Sequence, residues 1–421
     1  MDEKYQKLKT HNPWGGNTLS RGYVRTLYTD KIIRGEDRPV KVVTGQRRAG
    51  KSYVLRQTAS KLIEGGVGDE NIFFVDRRLP DFDFLKNQKD LDELIRYYKL
   101  IIKPSGRIYF FIDEIQDIAG WENLITSYLN GGAGECAFFI SGSNPNRLLE
   151  RLSFLLPGRC SGIDVYPFCF AEYADITQQE PSAATFAGYM DSGGIPDLFM
   201  LDGDRIRRNY MSSFMDSILL RDMIQDRGIK DAVLMDYLFA YLISNVSLTL
   251  SVSEIPNLFR GRGRNTSLVT ISAYLRHIED ARLAHRVEHY NIEGTDTVAS
   301  GCKYYINDPS FGNYLHMTSK SEPDHRFENI VYLELARRGF DVYTCSIKDA
   351  EIDFAAFKGS RMIYIQCAGM SGDKKTVEGK CSVLEGIEDN FEKIIVSSGE
   401  VKTPQGSGVR HVRVWDLDEA L

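Results

Sequence analysis

Eight consecutive residues carry the strongest chemical pattern in this sequence. Residues 45–52 read GQRRAGKS and match the pattern G-x-x-x-x-G-K-[ST] in full. Glycines allow backbone turns that aim successive N–H groups inward, and a helix starting at Lys51 would add the positive end of its dipole. Such a loop cradles a triphosphate, with Lys51 on the β- and γ-phosphates and Ser52 on Mg²⁺. The predicted nucleotide contacts are Gly45, Gln46, Arg47, Arg48, Ala49, Gly50, Lys51, Ser52 and Tyr53.

An acidic pair supplies the second half of a nucleotide site. The apolar residues 108–112 predict a strand, and Asp113 and Glu114 follow it directly. Asp113 is expected to hold Mg²⁺, and Glu114 to polarise the water that attacks the γ-phosphate. The pair therefore predicts hydrolysis rather than binding alone. The alternative is that the glycine turn and the two acids only cap and stabilise helices, and the presence of both motifs argues against it.

These residues need a sheet to position them. Short apolar runs at 40–43, 72–75, 108–112 and 137–141 alternate with helical segments, which predicts a mainly parallel sheet covered by helices. Residues 1–169 are therefore expected to form an α/β core of the P-loop type with an N-terminal arm.

Three further segments follow this core. Residues 170–247 are helical and poor in strands, which predicts a helical lid and connector. Residues 248–302 give helix, turn, helix and strand, the order of a winged helix. Residues 303–421 show an αβββαβ order and need a core of their own. The expected fold class is thus α/β, with helical and winged-helix segments between two α/β domains.

The composition indicates a folded protein without a membrane-spanning segment. The 421 residues are 43% hydrophobic and 26% charged, as in an ordinary folded chain. No apolar run approaches the roughly 18 residues that cross a bilayer, and the charged N-terminus lacks the apolar segment of a signal peptide. Seven scattered cysteines without a C-x-x-C pair fit a reducing compartment. We therefore expect a cytoplasmic protein with no membrane partner.

Several motifs together resemble one protein family. In their order and spacing, seven motifs of this sequence resemble the prokaryotic AAA-type ATP-binding proteins that carry a C-terminal companion domain of unknown function. The motifs are GQRRAGKS, FIDEIQ, ISGSN, LPGR, PFCFAEY, GGIPDLF and ILLRDMI. The resemblance covers about residues 20–415. It implies an ATPase core, a winged-helix segment and a nuclease-like C-terminal fold, with ATP and Mg²⁺ as cofactors. The choice of ATP over GTP rests on this resemblance, because no base-reading residue can be identified from spacing.

The resemblance also implies a sensor and an arginine finger. A polar residue after the third strand senses the γ-phosphate in AAA-type ATPases, which nominates Ser143 or Asn144; the alternative is a plain loop turn. Arg159 in LPGR lies where such proteins place an arginine that acts on a neighbouring subunit. Arg147 and Arg151 are its rivals, and a surface salt bridge is the alternative for all three.

The C-terminal segment contains a second acidic pattern. Its spacing resembles the acid, acid and Q-x-K layout of the restriction-endonuclease-like fold at Glu328, Asp353 and Gln366. Position 368 is alanine, so the lysine that would steady the attacking hydroxide is missing. We therefore expect a degenerate, inactive nuclease site, or simply solvated and capping charges. The alternative is that Lys358 or Lys374 moves into place.

Two weaker patterns lie in residues 248–302. His285 and His289 have a helical metal-ligand spacing, but the segment becomes β-like and no nearby acid completes a zinc site. Within it, residues 248–292 contain six arginines against four acidic residues, although the chain has a net charge of −6. DNA contact through this segment and a role as a protein-interaction module are both left open.

The expected function follows from the nucleotide motifs and the resemblance. We expect a Mg²⁺-dependent ATPase of the AAA type that couples hydrolysis to action on a DNA or protein partner and assembles as a homo-oligomer. One alternative is a DNA nuclease gated by ATP. The other is a scaffold whose domains are locked by nucleotide without hydrolysis.

Overall fold

The computed structural model describes residues 2–34, 38–131, 136–142, 145–218, 229, 231–261, 263–291, 301–315, 322–347, 350–370, 374–399 and 408–421. The chain divides into two compact units, residues 1–165 and 166–421. The division lies close to the predicted boundary after residue 169. The rest of the chain forms one unit, where the sequence predicted three segments. No helix in the described ranges is long and apolar enough to cross a membrane.

The first unit is an α/β fold. Its helices are α1 (Asp2–Thr10), α2 (Thr26–Arg34), α3 (Lys51–Glu64), α4 (Gln88–Ile102), α5 (Trp121–Asn130) and α6 (Pro145–Leu155). Its strands are β1 (Val40–Thr44), β2 (Ile72–Asp76), β3 (Ile108–Asp113), β4 (Cys136–Ser141) and β5 (Cys160–Asp164). The alternation of strands and helices that the sequence predicted is confirmed.

The five strands form a parallel sheet in the order β2-β3-β4-β1-β5. Helices cover both faces, so adjacent residues of one strand enter different cores. Phe110 stacks on Phe138 at 4.9 Å on one face, and Phe111 stacks on Phe139 at 4.6 Å on the other. Because the strands are parallel, all five C-terminal ends meet at one edge of the sheet. The loops at that edge are where open α/β sheets bind ligands.

The N-terminal arm protects an edge strand of this sheet. The side-chain amide of Asn12 donates to the carbonyl of Phe74 at 2.9 Å and accepts from its N–H at 2.6 Å. Trp14 donates to the carbonyl of Ile72 at 3.1 Å. These contacts satisfy backbone groups of β2 that would otherwise be open to another strand.

The second unit is a mixed α/β fold. Its helices are α7 (Phe170–Thr177), α8 (Ala183–Ser192), α9 (Asp204–Ser217), α10 (Ala232–Ser244), α11 (Ile255–Gly261), α12 (Leu268–Asp280), α13 (Ser310–Tyr314), α14 (Pro323–Arg337), α15 (Lys374–Glu385) and α16 (Leu417–Ala420). Its strands are β6 (Thr249–Leu250), β7 (Ala284–Asn291), β8 (Cys302–Ile306), β9 (Asp341–Ile347), β10 (Ala350–Lys358), β11 (Arg361–Cys367), β12 (Glu392–Ser397) and β13 (Val409–Arg413).

One eight-stranded sheet runs through this unit in the order β13-β12-β11-β10-β9-β7-β8-β6. Strand β8 pairs with β7 and β6, so the predicted division between residues 302 and 303 falls inside a strand. Strand β7 also pairs in parallel with β9, which joins the two predicted segments into one sheet. An apolar run such as residues 302–306 predicts a strand, but it does not indicate which strands will be its neighbours.

Two helices cover opposite faces of the central strands. Phe354 and Ile365 pack with residues of α14 in one core, whereas Tyr364 and Ile395 pack with residues of α15 in another. The antiparallel pairing of β10 and β11 matches Phe354 with Ile365. The same register therefore places Asp353 opposite Gln366.

Candidate functional site

The loop between β1 and α3 has the backbone that its glycines predict. Gly45 has a φ of 137°, and a Cβ atom there would lie 2.1 Å from the carbonyl oxygen of Val165. Gly50, the residue before α3, has a φ of 100°. A side chain at either position would be strained. The glycines are therefore required by the turn itself, and the loop opens at the C-terminal edge of the sheet.

Lys51 is folded back on this loop. Its Nζ donates to the carbonyl oxygens of Gly45 and Gln46, at 3.0 Å each. Burial lowers the pKa of Lys51, while the charges of Glu114 and Asp113 oppose that shift. The ammonium group thus lies in the concavity of the loop, where oxygens of a phosphate chain would replace the two carbonyls.

Asp113 ends β3 and is completely buried. One carboxylate oxygen, Oδ1, accepts a hydrogen bond from the hydroxyl of Ser141. The other, Oδ2, accepts from Nη2 of Arg78 at 2.9 Å. Burial raises the pKa of Asp113, whereas Arg78 and Ser141 act to lower it. The carboxylate is therefore paired with a cation at the same edge of the sheet as the phosphate-binding loop.

Arg78 comes from the loop after the neighbouring strand. Its Nε and Nη2 donate to the two carboxylate oxygens of Asp76 at 2.9 and 2.7 Å, and the strand register pairs Asp76 with Asp113. One guanidinium group thus joins both acids. Neither Arg78 nor Asp76 was predicted from the sequence. A usable signal was present, because both are polar residues that follow the apolar residues 72–75.

Glu114 lies at the turn that follows β3. Its φ of 54° is uncommon for a residue other than glycine and turns the chain away from the strand direction. Its backbone N–H donates to the hydroxyl of Ser141 at 3.1 Å, and its carboxylate accepts from Nε2 of Gln116 at 2.5 Å. Glu114 is thus partly exposed, and a neighbouring amide orients its carboxylate.

Ser141 is the polar residue that the structure places against both acids. It ends β4, directly beside β3. The predicted sensors, Ser143 and Asn144, lie outside the described residues. Ser141 was not among the predicted residues, although a hydroxyl that ends an otherwise apolar strand was a usable signal.

The other predicted nucleotide contacts lie around the start of α3. The guanidinium of Arg25, a buried residue of the N-terminal arm, donates to the carbonyl of Ala49 at 3.0 Å and so fixes the loop from outside. Ser52 is partly exposed in the first turn of α3. Tyr53 is 44% exposed, and the guanidinium carbon of Arg56 lies 5.5 Å from the centre of its ring.

Arg159 lies at the opposite edge of the sheet from the phosphate-binding loop. It directly precedes β5, and its carbonyl accepts from the N–H of Val40 at the start of β1. Its exposed side chain donates to Asn130 Oδ1 at 3.2 Å. The loop follows the other end of β1, so Arg159 cannot reach the nucleotide site of its own subunit.

Arg151 and Arg147 were the alternatives to Arg159 as the arginine finger. Arg151 forms a salt bridge of 2.5 Å with Glu122, which is the alternative that the sequence analysis stated for it. The side chain of Arg147 lies outside the described residues.

The second unit brings the three nuclease-like residues into one neighbourhood. Glu328 on α14 accepts hydrogen bonds at Oε1 from Lys303 at 3.0 Å and from Tyr305 at 2.7 Å. Burial first, and then the charge of Asp353, raise the pKa of Glu328 to about 7. The backbone N–H of Cys367 donates to Asp353 Oδ2 at 2.6 Å.

A lysine that was not predicted from the sequence also reaches this cluster. Nζ of Lys380, on α15, donates to Asp353 Oδ2 at 2.9 Å. Lys358 is exposed at the far end of β10, with its ammonium 5.2 Å from the centre of the Phe340 ring. The side chain of Lys374 lies outside the described residues.

The two histidines lie on a strand, not on a helix. His285 and His289 belong to β7. Nε2 of His285 is 2.8 Å from Asn307 Oδ1, and Nε2 of His289 is 3.0 Å from Ser346 Oγ. Their neutral partners give no indication of a zinc site. In the described ranges, no three side chains of His, Cys, Asp or Glu group together as metal ligands.

Two family models match parts of this chain. Residues 37–174 match the family model of an AAA domain, and residues 183–322 match a domain of unknown function. A Walker-type ATPase of Pyrococcus abyssi, a solved structure, has a TM-score of 0.47 and 15% identity over 72% of this chain and 98% of that one.

Two relatives extend over nearly the whole chain. An uncharacterized protein of Methanocaldococcus jannaschii is 25% identical over 86% of this chain and 85% of its own length. An uncharacterized protein of Haemophilus influenzae is 30% identical over 93% of this chain and 97% of its own length. The chain therefore belongs to the family of the Haemophilus influenzae protein, and it combines an AAA domain of the P-loop ATPase type with a C-terminal domain of unknown function.

Proposed function

We propose that this protein binds ATP with Mg²⁺, hydrolyses it, and couples hydrolysis to action on a macromolecular partner. The observation that carries the proposal is the convergence of Lys51, Asp113 and Glu114 at one edge of the parallel sheet. The AAA domain match supports ATP as the nucleotide.

The residues present fit a bound Mg²⁺. The buried carboxylate of Asp113 already pairs with the cationic group of Arg78, which indicates that this position favours positive charge. Asp113 and the hydroxyl of Ser52 would hold the ion, directly or through water. When bound, Mg²⁺ neutralises charge that develops on the β- and γ-phosphate oxygens.

Hydrolysis then requires a positioned water and stabilised charge. Glu114 would orient the water and draw off its proton as the water oxygen bonds to the γ-phosphorus. The bond between that phosphorus and the β–γ bridging oxygen breaks, and the charge on the departing oxygens meets the ammonium of Lys51. Ser141 would keep Asp113 and Glu114 aligned through its two hydrogen bonds.

Transition-state charge needs one more cation. Arg159 lies at the wrong edge of its own sheet, so we infer that it serves the site of an adjacent subunit in an assembly. Steady-state phosphate release by the purified protein tests the proposal. Hydrolysis that is absent at every protein concentration, despite bound ATP, would leave only the nucleotide-locked scaffold.

We further infer that the segment predicted at residues 248–302, through its helices α11 and α12 and its strands β6 to β8 and together with the preceding helix α10, forms a winged helix that contacts DNA. The order α10, β6, α11, α12, β7, β8, with β8 between its two antiparallel neighbours, supports this fold. Helix α12 would be the recognition helix, and the exposed side chains of Arg260 and Arg276 would contact phosphates.

The DNA interaction can be tested by fluorescence anisotropy with labelled duplex at several salt concentrations. Arg276→Ala should weaken binding and reduce the salt slope by about one, because one phosphate contact is lost. Glu254→Ala is the matched control, because it removes a negative charge from the same segment instead of a positive one. Equal affinity of wild type and the Arg276 variant would direct the search to a protein partner.

A further inference from the structure

We propose that Arg78 supplies to Asp113 part of the positive charge that a divalent cation supplies there, and competes with that cation for the carboxylate, so that nucleotide binding depends only partly on Mg²⁺. This inference deepens the proposed function and rests on it, because it requires a nucleotide at the loop of residues 45–52. It makes Arg78 a positioning residue that acts through Asp113.

Asp76 fixes the position of the Arg78 guanidinium. Nε and Nη2 of Arg78 donate to the two carboxylate oxygens of Asp76 at 2.9 and 2.7 Å, and its backbone N–H donates to Oδ1 at 3.1 Å. The side chain of Asp76 is 3% exposed. A bidentate pair with a buried carboxylate restricts the guanidinium plane to one orientation. The end of β2 therefore determines where the charge of Arg78 lies.

Both carboxylate oxygens of Asp113 are engaged. Ser141 donates to Oδ1, and Nη2 of Arg78 donates to Oδ2 at 2.9 Å. Ser141 is neutral, so the charge in direct contact with this buried carboxylate is that of Arg78. A divalent cation that takes Oδ2 as a ligand, directly or through water, must share or displace this contact. Because like charges repel, Arg78 and the divalent cation compete for Asp113.

A second arginine leaves the charge of Arg78 available to Asp113. Nη2 of Arg56, on α3, lies 3.3 Å from Oδ2 of Asp76. Asp76 thus has two arginine partners, and the two acids and two arginines together are neutral. Without Arg78 the group would have a net negative charge at the edge of the sheet where the phosphate-binding loop opens. That charge would repel the phosphate chain of a nucleotide unless a divalent cation neutralised it.

Arg78 can also give way to a divalent cation. Its side chain is 45% exposed, although the two acids that it joins are buried. Displacement from Asp113 removes one of its contacts and leaves the two side-chain hydrogen bonds to Asp76. The guanidinium would then remain paired and hydrated, so its release does not bury an uncompensated charge.

The test compares the affinity of the full chain for a nucleotide with and without Mg²⁺. Titration of a fluorescent ATP analogue gives one Kd in Mg²⁺ and another in EDTA, and the ratio of the two measures the contribution of the cation. In Arg78→Ala, affinity in EDTA should fall about tenfold or more, because an uncompensated charge beside the phosphates costs at least this much. Affinity in Mg²⁺ should change little, because the divalent cation then neutralises Asp113. The ratio should therefore rise about tenfold or more.

Two further substitutions of Arg78 separate its charge from its size. Arg78→Lys keeps a positive charge and should keep the ratio closer to the wild-type value. Arg78→Gln keeps a polar side chain without the charge and should raise the ratio as Arg78→Ala does. Circular dichroism shows whether each variant is folded, and Arg78→Gln decides the question if Arg78→Ala does not fold.

Two controls show whether the effect passes through Asp113. Arg96 forms a comparable pair with Asp92 at 2.8 Å on α4, and Arg96→Ala should leave the ratio unchanged. In an Asp113→Asn background there is no carboxylate charge to neutralise, so Arg78→Ala should no longer raise the ratio. A ratio that rises equally in that background would overturn the inference.

The remaining outcomes distinguish this inference from the proposed function. An equal loss of affinity in the two buffers would refute the inference alone, because a residue that only stabilises the fold affects both conditions alike. A wild-type chain that binds the analogue in neither buffer would refute the proposed function and this inference together.

Discussion

Ser141 donates a hydrogen bond to the buried carboxylate of Asp113 across two neighbouring parallel strands. The same hydroxyl oxygen accepts the backbone N–H of Glu114 at 3.1 Å. One side chain at the end of β4 thus contacts both the carboxylate of Asp113 and the backbone of Glu114 at the end of β3.

Removal of this hydroxyl should change the pH dependence of hydrolysis. In Ser141→Ala, Asp113 loses a donor that lowers its pKa, so the pKa rises further. The ionised form is then lost at a higher pH, and the acidic limb of the profile of kcat against pH should move upward. At neutral pH we expect turnover to fall about 10- to 100-fold, the value of a hydrogen bond to a charged group.

Ser141→Thr is the conservative variant for this measurement. It keeps the hydroxyl and should retain the wild-type acidic limb even if the added methyl group lowers the rate. An acidic limb that does not move in Ser141→Ala would mean that Asp113 does not control turnover.

Loss of Lys51 should abolish nucleotide binding. Lys51→Ala removes the ammonium group that lies in the phosphate-binding loop. Two hydrogen bonds to charged phosphate oxygens are worth about 3–6 kcal/mol, so affinity for ATP should fall at least about 100-fold. Titration with a fluorescent ATP analogue measures the effect. Lys61 lies on the same helix as Lys51 and forms an ion pair with Asp30, so Lys61→Ala is the control. Equal affinity of the Lys51 and Lys61 variants for ATP would contradict the assigned site.

Glu114→Gln should separate binding from hydrolysis. The amide keeps the size of the side chain and cannot take up a proton, so ATP affinity should persist while kcat falls about 10²- to 10⁴-fold. Single-turnover phosphate release measures the chemical step. Glu122→Gln is the control: Glu122 forms an ion pair with Arg151, and its replacement should have little effect on kcat. Wild-type turnover in the Glu114 variant would assign the base to another residue.

The parts of this site that depend on local sequence could be predicted, and the parts that depend on strand register could not. Gly45, Lys51 and Asp113 follow from a loop pattern and from the end of an apolar strand. Ser141 becomes significant only because β4 lies beside β3 in the sheet. A sequence does not specify which strand ends are neighbours, so the polar ending of β4 could not be assigned to Asp113.

The same reason explains the second acidic cluster. Its three predicted residues were recognisable by type and order, and the absence of lysine at position 368 was equally visible. In the folded chain, the lysine that contacts Asp353 is Lys380 on α15, a helix that packs across the sheet after the chain has left β11. This contact joins residues that are far apart in sequence, so only the folded chain identifies it.

Arg159 gives the prediction that tests assembly. It lies at the edge of the sheet opposite its own phosphate-binding loop, so as the proposed finger it would have to act on the site of a neighbouring subunit. Arginine fingers are worth about 10³- to 10⁵-fold in rate, so Arg159→Ala should retain ATP affinity and lose turnover. Arg151→Ala, which breaks only the ion pair with Glu122, should remain active.

A mixing experiment determines whether Arg159 acts between subunits. Arg159→Ala and Lys51→Ala should each be inactive alone, and a mixture should regain hydrolysis because some interfaces join an intact loop to an intact arginine. Light scattering with ATP and Mg²⁺ must show that the two variants assemble together. Verified mixed assemblies without activity would exclude Arg159 as the finger, since its position rules out action within its own subunit. A monomer that hydrolyses ATP at the full rate would exclude any finger between subunits, because no neighbour would then supply the missing charge.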